Sequence, residues 1–238
     1  MEEEHNTQPK ASGEILKILE LFSGSRSLGN IADELGHCVF SVDWENYKNT
    51  DLVIDIEYLK TDLIPFIPDI IWASPDCTTY SIAAISSHRD GVTPTSEYAK
   101  KCDRTNESVI RLINSYLINN DVLFYIENPV GMMRKMKFMK NIPRTTVWYC
   151  RYGDFRAKPT DIWSNNIYSL FNQDGWIPRD ICRNGNIHCS HEKAPRGSKT
   201  GTQGLDSPYI RSVVPRELLV DILISSQKKI DKNKIIKS

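Results

Sequence analysis

A chain of 238 residues, 40% hydrophobic and 25% charged, can bury a full core and falls in the range of one large domain or a domain plus a small lobe. Its 30 basic residues balance 30 acidic ones, so no global field recruits a polyanion and any nucleic-acid contact must be local. No stretch approaches the roughly 20 apolar residues that span a bilayer, and the acidic start MEEEHNTQPK lacks the basic and apolar regions of a secretory leader. The expectation is an intracellular soluble protein with no membrane partner. Its six cysteines, at 38, 77, 102, 150, 182 and 189, then read as thiols or metal ligands rather than a disulfide framework.

Residues 1–14 are polar and expected to be disordered. An apolar strand at 15–22 (ILKILELF) is followed by a small-residue loop at 23–29 (SGSRSLG) and a helix over NIADELG that Gly36 closes. Residues 38–42 (CVFSV) form a second strand ending at Asp43, residues 51–56 (DLVIDI) a third ending at Asp55, and DIIWAS a fourth. After a polar loop, Val109, Ile110, Leu112, Ile113, Tyr116 and Leu117 fall at helical spacing. A fifth strand at 122–126 (VLFYI) runs into Glu127, Asn128 and Pro129; TTVWYC and TDIWSN are further strands, and residues 215–230 a closing amphipathic helix with Pro215 suited to its first turn.

Strands alternating with helices predict an α/β fold with a doubly wound, mostly parallel sheet. Ligands of such sheets lie beyond the carboxyl ends of the strands. The small-residue loop, Asp43, Asp55, Cys77 and Glu127 all fall there. Gly24 permits a tight turn with close ligand approach, and Asp43 can accept hydrogen bonds from ribose hydroxyls. The phosphate fingerprint G-x-G-x-x-G is absent because position 26 is Arg, which favours a nucleoside ligand without a pyrophosphate, such as S-adenosylmethionine. Read singly, each residue has a plain structural role: a buried small hydrophobe for Cys77, a core tryptophan for Trp44, a capped strand end for Glu127.

Taken in order, the segments resemble the DNA cytosine-5 methyltransferases from residue 16 to 220, closest to the short solitary enzymes of phages and large DNA viruses. ELFSGSRSLG is similar to that family's first motif, implying a Rossmann-like class I methyltransferase fold with Phe22, Ser23, Gly24 and Ser25 at the cofactor. VDWEN and IDI resemble the second and third, implying Asp43 on the ribose, and Trp44, Asp55 and Ile56 around the adenine. SPDCTTYS is similar to the Pro-Pro-Cys-Gln-x-Phe-Ser loop, implying Cys77 as nucleophile, Pro75 near the cofactor and Ser81 near DNA. IENP resembles the Glu-Asn-Val motif, implying that Glu127 holds the cytosine ring. YGDFRAKPT and RSVVPREL resemble two late motifs.

The sequence departs from the family at Asp76, in place of the second proline, and at Thr78, in place of the glutamine. A carboxylate beside a thiol raises its pKa unless it is turned away or neutralised. The family's Gln-x-Arg-x-Arg becomes Arg156, Lys158 and Thr160, which implies that Arg156 and Lys158 join Cys77 and Glu127 in the catalytic set, as phosphate or base-edge contacts, against solvated surface.

The resemblance implies methyl transfer from S-adenosylmethionine to C5 of a flipped-out cytosine in double-stranded DNA, through a covalent Cys77 adduct, with no obligate protein partner. The compartment would be the cytoplasm, or a host-cell nucleus for a viral protein. An RNA cytosine-5 methyltransferase and a weak or inactive DNA-binding relative remain open. An amino-methylase is disfavoured because Cys77 stands where its loop has an aromatic residue.

The expected organisation is a catalytic domain at 15–165, a small loop-rich target-recognition lobe at 166–210 and a returning C-terminal segment at 211–238. Arg179, Arg183, Lys193, Arg196 and Lys199 are the lobe's candidate DNA contacts, Arg196 and Lys199 foremost. So small a lobe predicts a short target of about two to four base pairs and binding that weakens with salt. CRNGNIHCSH gathers Cys182, His188, Cys189 and His191; with Cys150 as a distant partner, Cys150, Cys182, Cys189 and His191 form a candidate zinc set, against a basic DNA-contact loop.

Overall fold

Successive strand residues point to opposite faces of a sheet, and the apolar runs of this chain supply both faces. In the computed structural model, which describes residues 13–182, 191 and 207–237, seven strands form one sheet. They are β1 (Lys17–Leu21), β2 (Cys38–Asp43), β3 (Leu52–Val53), β4 (Ile70–Ala73), β5 (Leu123–Pro129), β6 (Arg144–Trp148) and β7 (Pro159–Ser164). Their spatial order is β3-β2-β1-β4-β5-β7-β6. The first five are parallel, with Leu19 opposite Phe40 and Ile71, and Ile71 opposite Phe124. β7 runs antiparallel between β5 and β6. The arrangement keeps the 3-2-1-4-5 half of a doubly wound sheet and its ligand crevice.

Ile18, Ile70, Trp72, Leu123 and Tyr125 face one side, where α1 (Ser27–Glu34) and α3 (Arg216–Lys237) cover them with Leu28, Ile31, Leu218, Leu219, Ile222 and Leu223. Leu19, Leu21, Ile71, Ala73, Phe124 and Ile126 face the other, covered by Val109, Leu112, Ile113 and Tyr116 of α2 (Glu97–Leu117). Buried on both faces, β4 and the first half of β5 read as unbroken apolar runs, as parallel strands do, while β1 is interrupted by Glu20. Among the described residues no helix is long and apolar enough to cross a membrane.

Several elements differ from expectation. β3 has two residues rather than six, and Asp55 is not a strand end: its carboxylate caps a 3-10 turn at Ile56–Tyr58, accepting from the Glu57 N–H at 3.1 Å. β5 does not stop at Ile126 but continues through Pro129, because β7 pairs alongside it with Glu127 opposite Ile162. α1 starts at Ser27, earlier than expected, and Gly36 follows it at φ 83°, a conformation glycine adopts freely. α2 starts at Glu97, capped by the Ser96 hydroxyl, which accepts from the Ala99 N–H at 3.1 Å. α3 runs past residue 230, and Pro215 precedes it, its carbonyl accepting from the Leu219 N–H at 3.3 Å.

The described start of the loop-rich segment is anchored to the domain. Trp176 is buried against Tyr125, and Asn166 donates to the Tyr125 hydroxyl at 2.7 Å. Arg179 is tied to α3 by bonds to Asp221, at 2.9 Å, and to Glu217, and it stacks on Tyr152.

Candidate active site

The parallel strands β2, β1, β4 and β5 lie side by side, so their carboxyl ends share one edge of the sheet. Three strand spacings separate β2 from β5, about 14 Å. Everything carried past those ends faces one crevice.

After β1 the backbone turns sharply, with Phe22 at φ 58°, Gly24 at 37° and Arg26 at 52°. The left-handed values at Phe22 and Arg26 are sterically costly for residues with a Cβ and mark a constrained turn. Asp43 at the end of β2 fixes it: one carboxylate oxygen accepts from the Gly24 N–H at 3.0 Å, the other from the Glu45 N–H at 3.1 Å. Burial pushes the Asp43 carboxyl up, and these backbone bonds hold it back. Next to it Trp44 is 64% exposed, an uncovered aromatic face at the same strand end. The Ser23 hydroxyl is buried and finds no partner among the described residues. Ser25 bonds the Ser27 hydroxyl at 2.8 Å, Ile56 is buried below, and Asp55 pairs with Lys101 at 2.8 Å.

Beneath the turn lies a buried polar group that motif reading passed over. Glu20 accepts from the Gly29 N–H and the Ser41 hydroxyl, each at 3.0 Å, and burial pushes its carboxyl up to about 7. Arg26, at the position that broke the phosphate fingerprint, turns inward to Ser41 at 3.2 Å and Asp33 at 2.5 Å. A Cβ at Gly29 would meet the Glu20 carboxylate at 2.6 Å, so glycine there makes room for this acid.

Past β4, Pro75 is buried and Cys77 is half-buried. Cys77 has φ −91° and ψ −8°, the sparsely used bridge region, and precedes a 3-10 turn at Thr78–Tyr80. The loop is held from both sides. In front, Asp76 accepts from the Thr78 N–H at 2.6 Å and from the Tyr98 hydroxyl. Behind, Arg89 donates to the Thr79 carbonyl at 2.8 Å and by two bonds to Asp103 at 2.6 and 3.0 Å, while its guanidinium lies 4.4 Å from the Tyr80 ring centre. Tyr80 completes the clamp by donating to Asp103 at 2.7 Å and accepting from Asn106 at 2.9 Å. From β5, Asn128 donates to the Pro75 carbonyl at 2.9 Å. Gly131 passes so close that a Cβ would meet the Tyr80 carbonyl oxygen at 2.4 Å. Ser81 sits at the loop's outer edge, accepting from the Ala83 N–H at 3.3 Å.

Glu127 is buried in the neighbouring strand and accepts from the Tyr149 hydroxyl at 2.8 Å. Burial, with the Glu127 charge, pushes the Tyr149 hydroxyl well above its usual range, so it remains a donor. The Lys158 ammonium lies 4.7 Å from the Tyr149 ring centre and donates to the Arg211 carbonyl at 3.2 Å. Burial raises the Cys77 thiol above its ordinary value; the Lys158 charge opposes this, and the Asp76 and Glu127 charges add to it. Cys77, Glu127, Tyr149 and Lys158 therefore form one electrostatic cluster. The Arg156 guanidinium lies 5.5 Å from the same Tyr149 ring centre, but its hydrogen bonds go elsewhere. It is buried, bound to Asp154 at 2.8 Å and to the carbonyls of Ile210, Arg211 and Val213 at 3.0 to 3.2 Å, so it pins the segment before α3.

Of the expected metal ligands, Cys150, Cys182 and His191 come together. His188 and Cys189, and the proposed DNA contacts Arg183, Lys193, Arg196 and Lys199, lie outside the described residues. Tyr149, Asn128, Glu20 and the Arg89–Asp103 pair were not singled out by sequence. Two surface concavities of about 530 and 500 Å³, one beside Glu57 and Arg111 and one beside Trp176 and Lys228, lie away from these strand ends and contain none of this chemistry.

The strand order, the reversed β7 and the tight turn after β1 define a Rossmann-like class I methyltransferase fold. In sequence, the chain is 27% identical over 222 residues to the probable DNA (cytosine-5)-methyltransferase of Frog virus 3 (isolate Goorha), covering 87% of this chain and 99% of that protein. This similarity bears out the resemblance to DNA cytosine-5 methyltransferases drawn from the motifs. No family model matches the chain. Among solved structures, the Entamoeba histolytica methyltransferase EhMeth aligns with TM-score 0.49 and 15% identity, over 71% of this chain and 62% of that one. The S. pombe Dnmt2 methyltransferase aligns with TM-score 0.46 and 14% identity, over 71% and 58%.

Proposed function

We propose that the protein methylates C5 of cytosine in double-stranded DNA, with Cys77 as nucleophile and S-adenosylmethionine as methyl donor. The observation that carries the reading is the Cys77 loop, clamped beside a buried Glu127 at the end of the adjacent parallel strand.

The crevice suits the cofactor. The Ser23 hydroxyl, without a partner among the described residues, the uncrowded backbone at Gly24 and the exposed Trp44 ring offer a polar contact, backbone access and a stacking face. Phe22, Ser23, Gly24 and Ser25 would border its methionine end, Asp43 its ribose, and Trp44, Asp55 and Ile56 its adenine, with Pro75 alongside. Bound there, S-adenosylmethionine supplies an electrophilic methyl group.

The chain's own residues prepare the base. Addition of the Cys77 thiolate to C6 breaks the ring's aromaticity and builds electron density at C5. Glu127, oriented by Tyr149, stabilises the charge that develops along the N3 and N4 edge. Once C5 is methylated, loss of its proton to a base and departure of the thiolate from C6 restore the aromatic ring. The target leaves the duplex stack for this to happen. Lys158 lowers the cost of forming the thiolate. Ser81, at the outer edge of the Cys77 loop, would contact the extruded strand, and the lobe at 166–210, through Arg196 and Lys199, would contact the duplex.

Radiolabelled methyl transfer to duplex DNA and to transfer RNA tests the reading. We expect 5-methylcytosine in DNA, abolished by Cys77→Ser. Methylation confined to transfer RNA would reassign the substrate, and activity retained in Cys77→Ser would refute the mechanism.

A further inference from the structure

Outside the residues assigned to methyl transfer, three donors from two parts of the chain converge. Cys150 lies in the turn that follows β6, Cys182 in the loop-rich segment, and His191 beyond it. Their ligand atoms all fall within 4.8 Å of one another, the one such group of Cys, His, Asp and Glu among the described residues. Both thiols are only 5% exposed, and His191 is half-buried.

The spacing is compatible with a shared metal ion. Zinc bonds of about 2.3 Å to sulfur and about 2.0–2.1 Å to nitrogen, at tetrahedral angles, separate sulfur from nitrogen by about 3.6 Å and sulfur from sulfur by about 3.8 Å. Cys182 Sγ lies 3.6 Å from His191 Nδ1. We propose that Cys150, Cys182 and His191 bind a zinc ion, through two thiolates and the neutral imidazole.

The charge balances. Binding releases two thiol protons to solvent, and the two thiolates offset the metal's double charge, which a buried site requires. Thiolate with imidazole selects zinc over the oxygen-seeking magnesium and calcium. Water can take the fourth position. Such a site staples the loop-rich segment, which has little apolar sequence of its own, to the turn bearing Tyr149 and thus to the support of Glu127. The inference stands apart from the methyl-transfer reading, because its readout is metal content.

Elemental analysis of the full-length protein, purified without chelator, should find about one zinc per chain. His191→Ala and the double variant Cys150→Ser/Cys182→Ser should lose most of it. Cobalt added to the zinc-depleted wild-type protein should give thiolate-to-cobalt charge-transfer absorption, a readout that does not depend on any variant folding. Absence of both zinc and that absorption in the wild type would overturn the proposal. So would full zinc retention in the double variant, or a Cys150–Cys182 disulfide found by mass spectrometry in the native protein.

Discussion

Replacing Arg89 by methionine keeps most of the side chain's stem and removes the guanidinium that clamps the Cys77 loop. The Arg89 side chain is 0% exposed and its partner Asp103 15%. The substitution deletes two bonds to Asp103 and two to Thr79, and leaves the Asp103 carboxylate with the Tyr80 hydroxyl at 2.7 Å. Breaking a buried ion pair from one side costs about 3–5 kcal/mol. Asp103 retains a partner and some solvent, so the lower end, about 3 kcal/mol, applies. For a chain of this size each kcal/mol moves Tm by about 2–4 °C, which gives a fall of about 6–12 °C in a thermal melt. Pairing it with Asp103→Asn should cost less than the sum of the two single changes, by about 1–3 kcal/mol, because both remove the same interaction. Arg89→Lys keeps the charge without the fork and should fall between. A drop below about 2 °C for Arg89→Met would show that the clamp does not hold the loop.

Three further outcomes follow from the same geometry. Glu20 has its carboxyl raised from 4.5 to about 7 by burial; its ionised form is disfavoured in the folded state, so stability falls as pH rises from about 4.5 to about 7 and levels off above, by about 3 kcal/mol in all. Glu20→Gln should flatten that window in denaturant titrations, and an unchanged slope would contradict it. Asp43→Ala should weaken S-adenosylmethionine binding by about 1.5–3 kcal/mol in calorimetry; equal affinity would confine Asp43 to holding the Gly24 turn. Glu127→Gln should lower turnover by about 100-fold and Tyr149→Phe by a smaller factor in the same direction, whereas a Tyr149→Phe loss exceeding that of Glu127→Gln would reverse their assigned order.

Much of the sheet is legible in the sequence because its central strands are apolar on both faces and end in punctuating residues: Asp43, Pro75 and Gly36 all fall at or near element ends. What escaped depended on partners remote in the chain. Asn128-Pro129 reads as a turn, yet the pairing of Glu127 with Ile162 on β7 carries the strand through it. Arg156 and Arg179 read as cations for DNA, but each finds buried or half-buried acceptors more than 40 residues away, in the segment before α3 and in α3 itself. Arg89, in the two-residue strand Arg89–Asp90 outside the main sheet, carries no motif; its meaning comes from Asp103 on α2 and from the Thr79 carbonyl. Cys77 and Glu127 drew their expected roles from the ordered set of motifs rather than singly, whereas Tyr149, which links Glu127 to Lys158, became visible only when β6 was placed beside β7.

Covalent trapping on DNA measures the central claim most directly. Duplex DNA containing 5-fluorocytosine, incubated with the protein and S-adenosylmethionine, halts the reaction once the fluorine at C5 cannot leave as a proton would. The account predicts a denaturation-resistant protein–DNA complex whose tryptic mass spectrum places the nucleotide on Cys77, formed by the wild-type protein and absent from Cys77→Ser. A complex attached at another residue, or one that forms equally in Cys77→Ser, would contradict it.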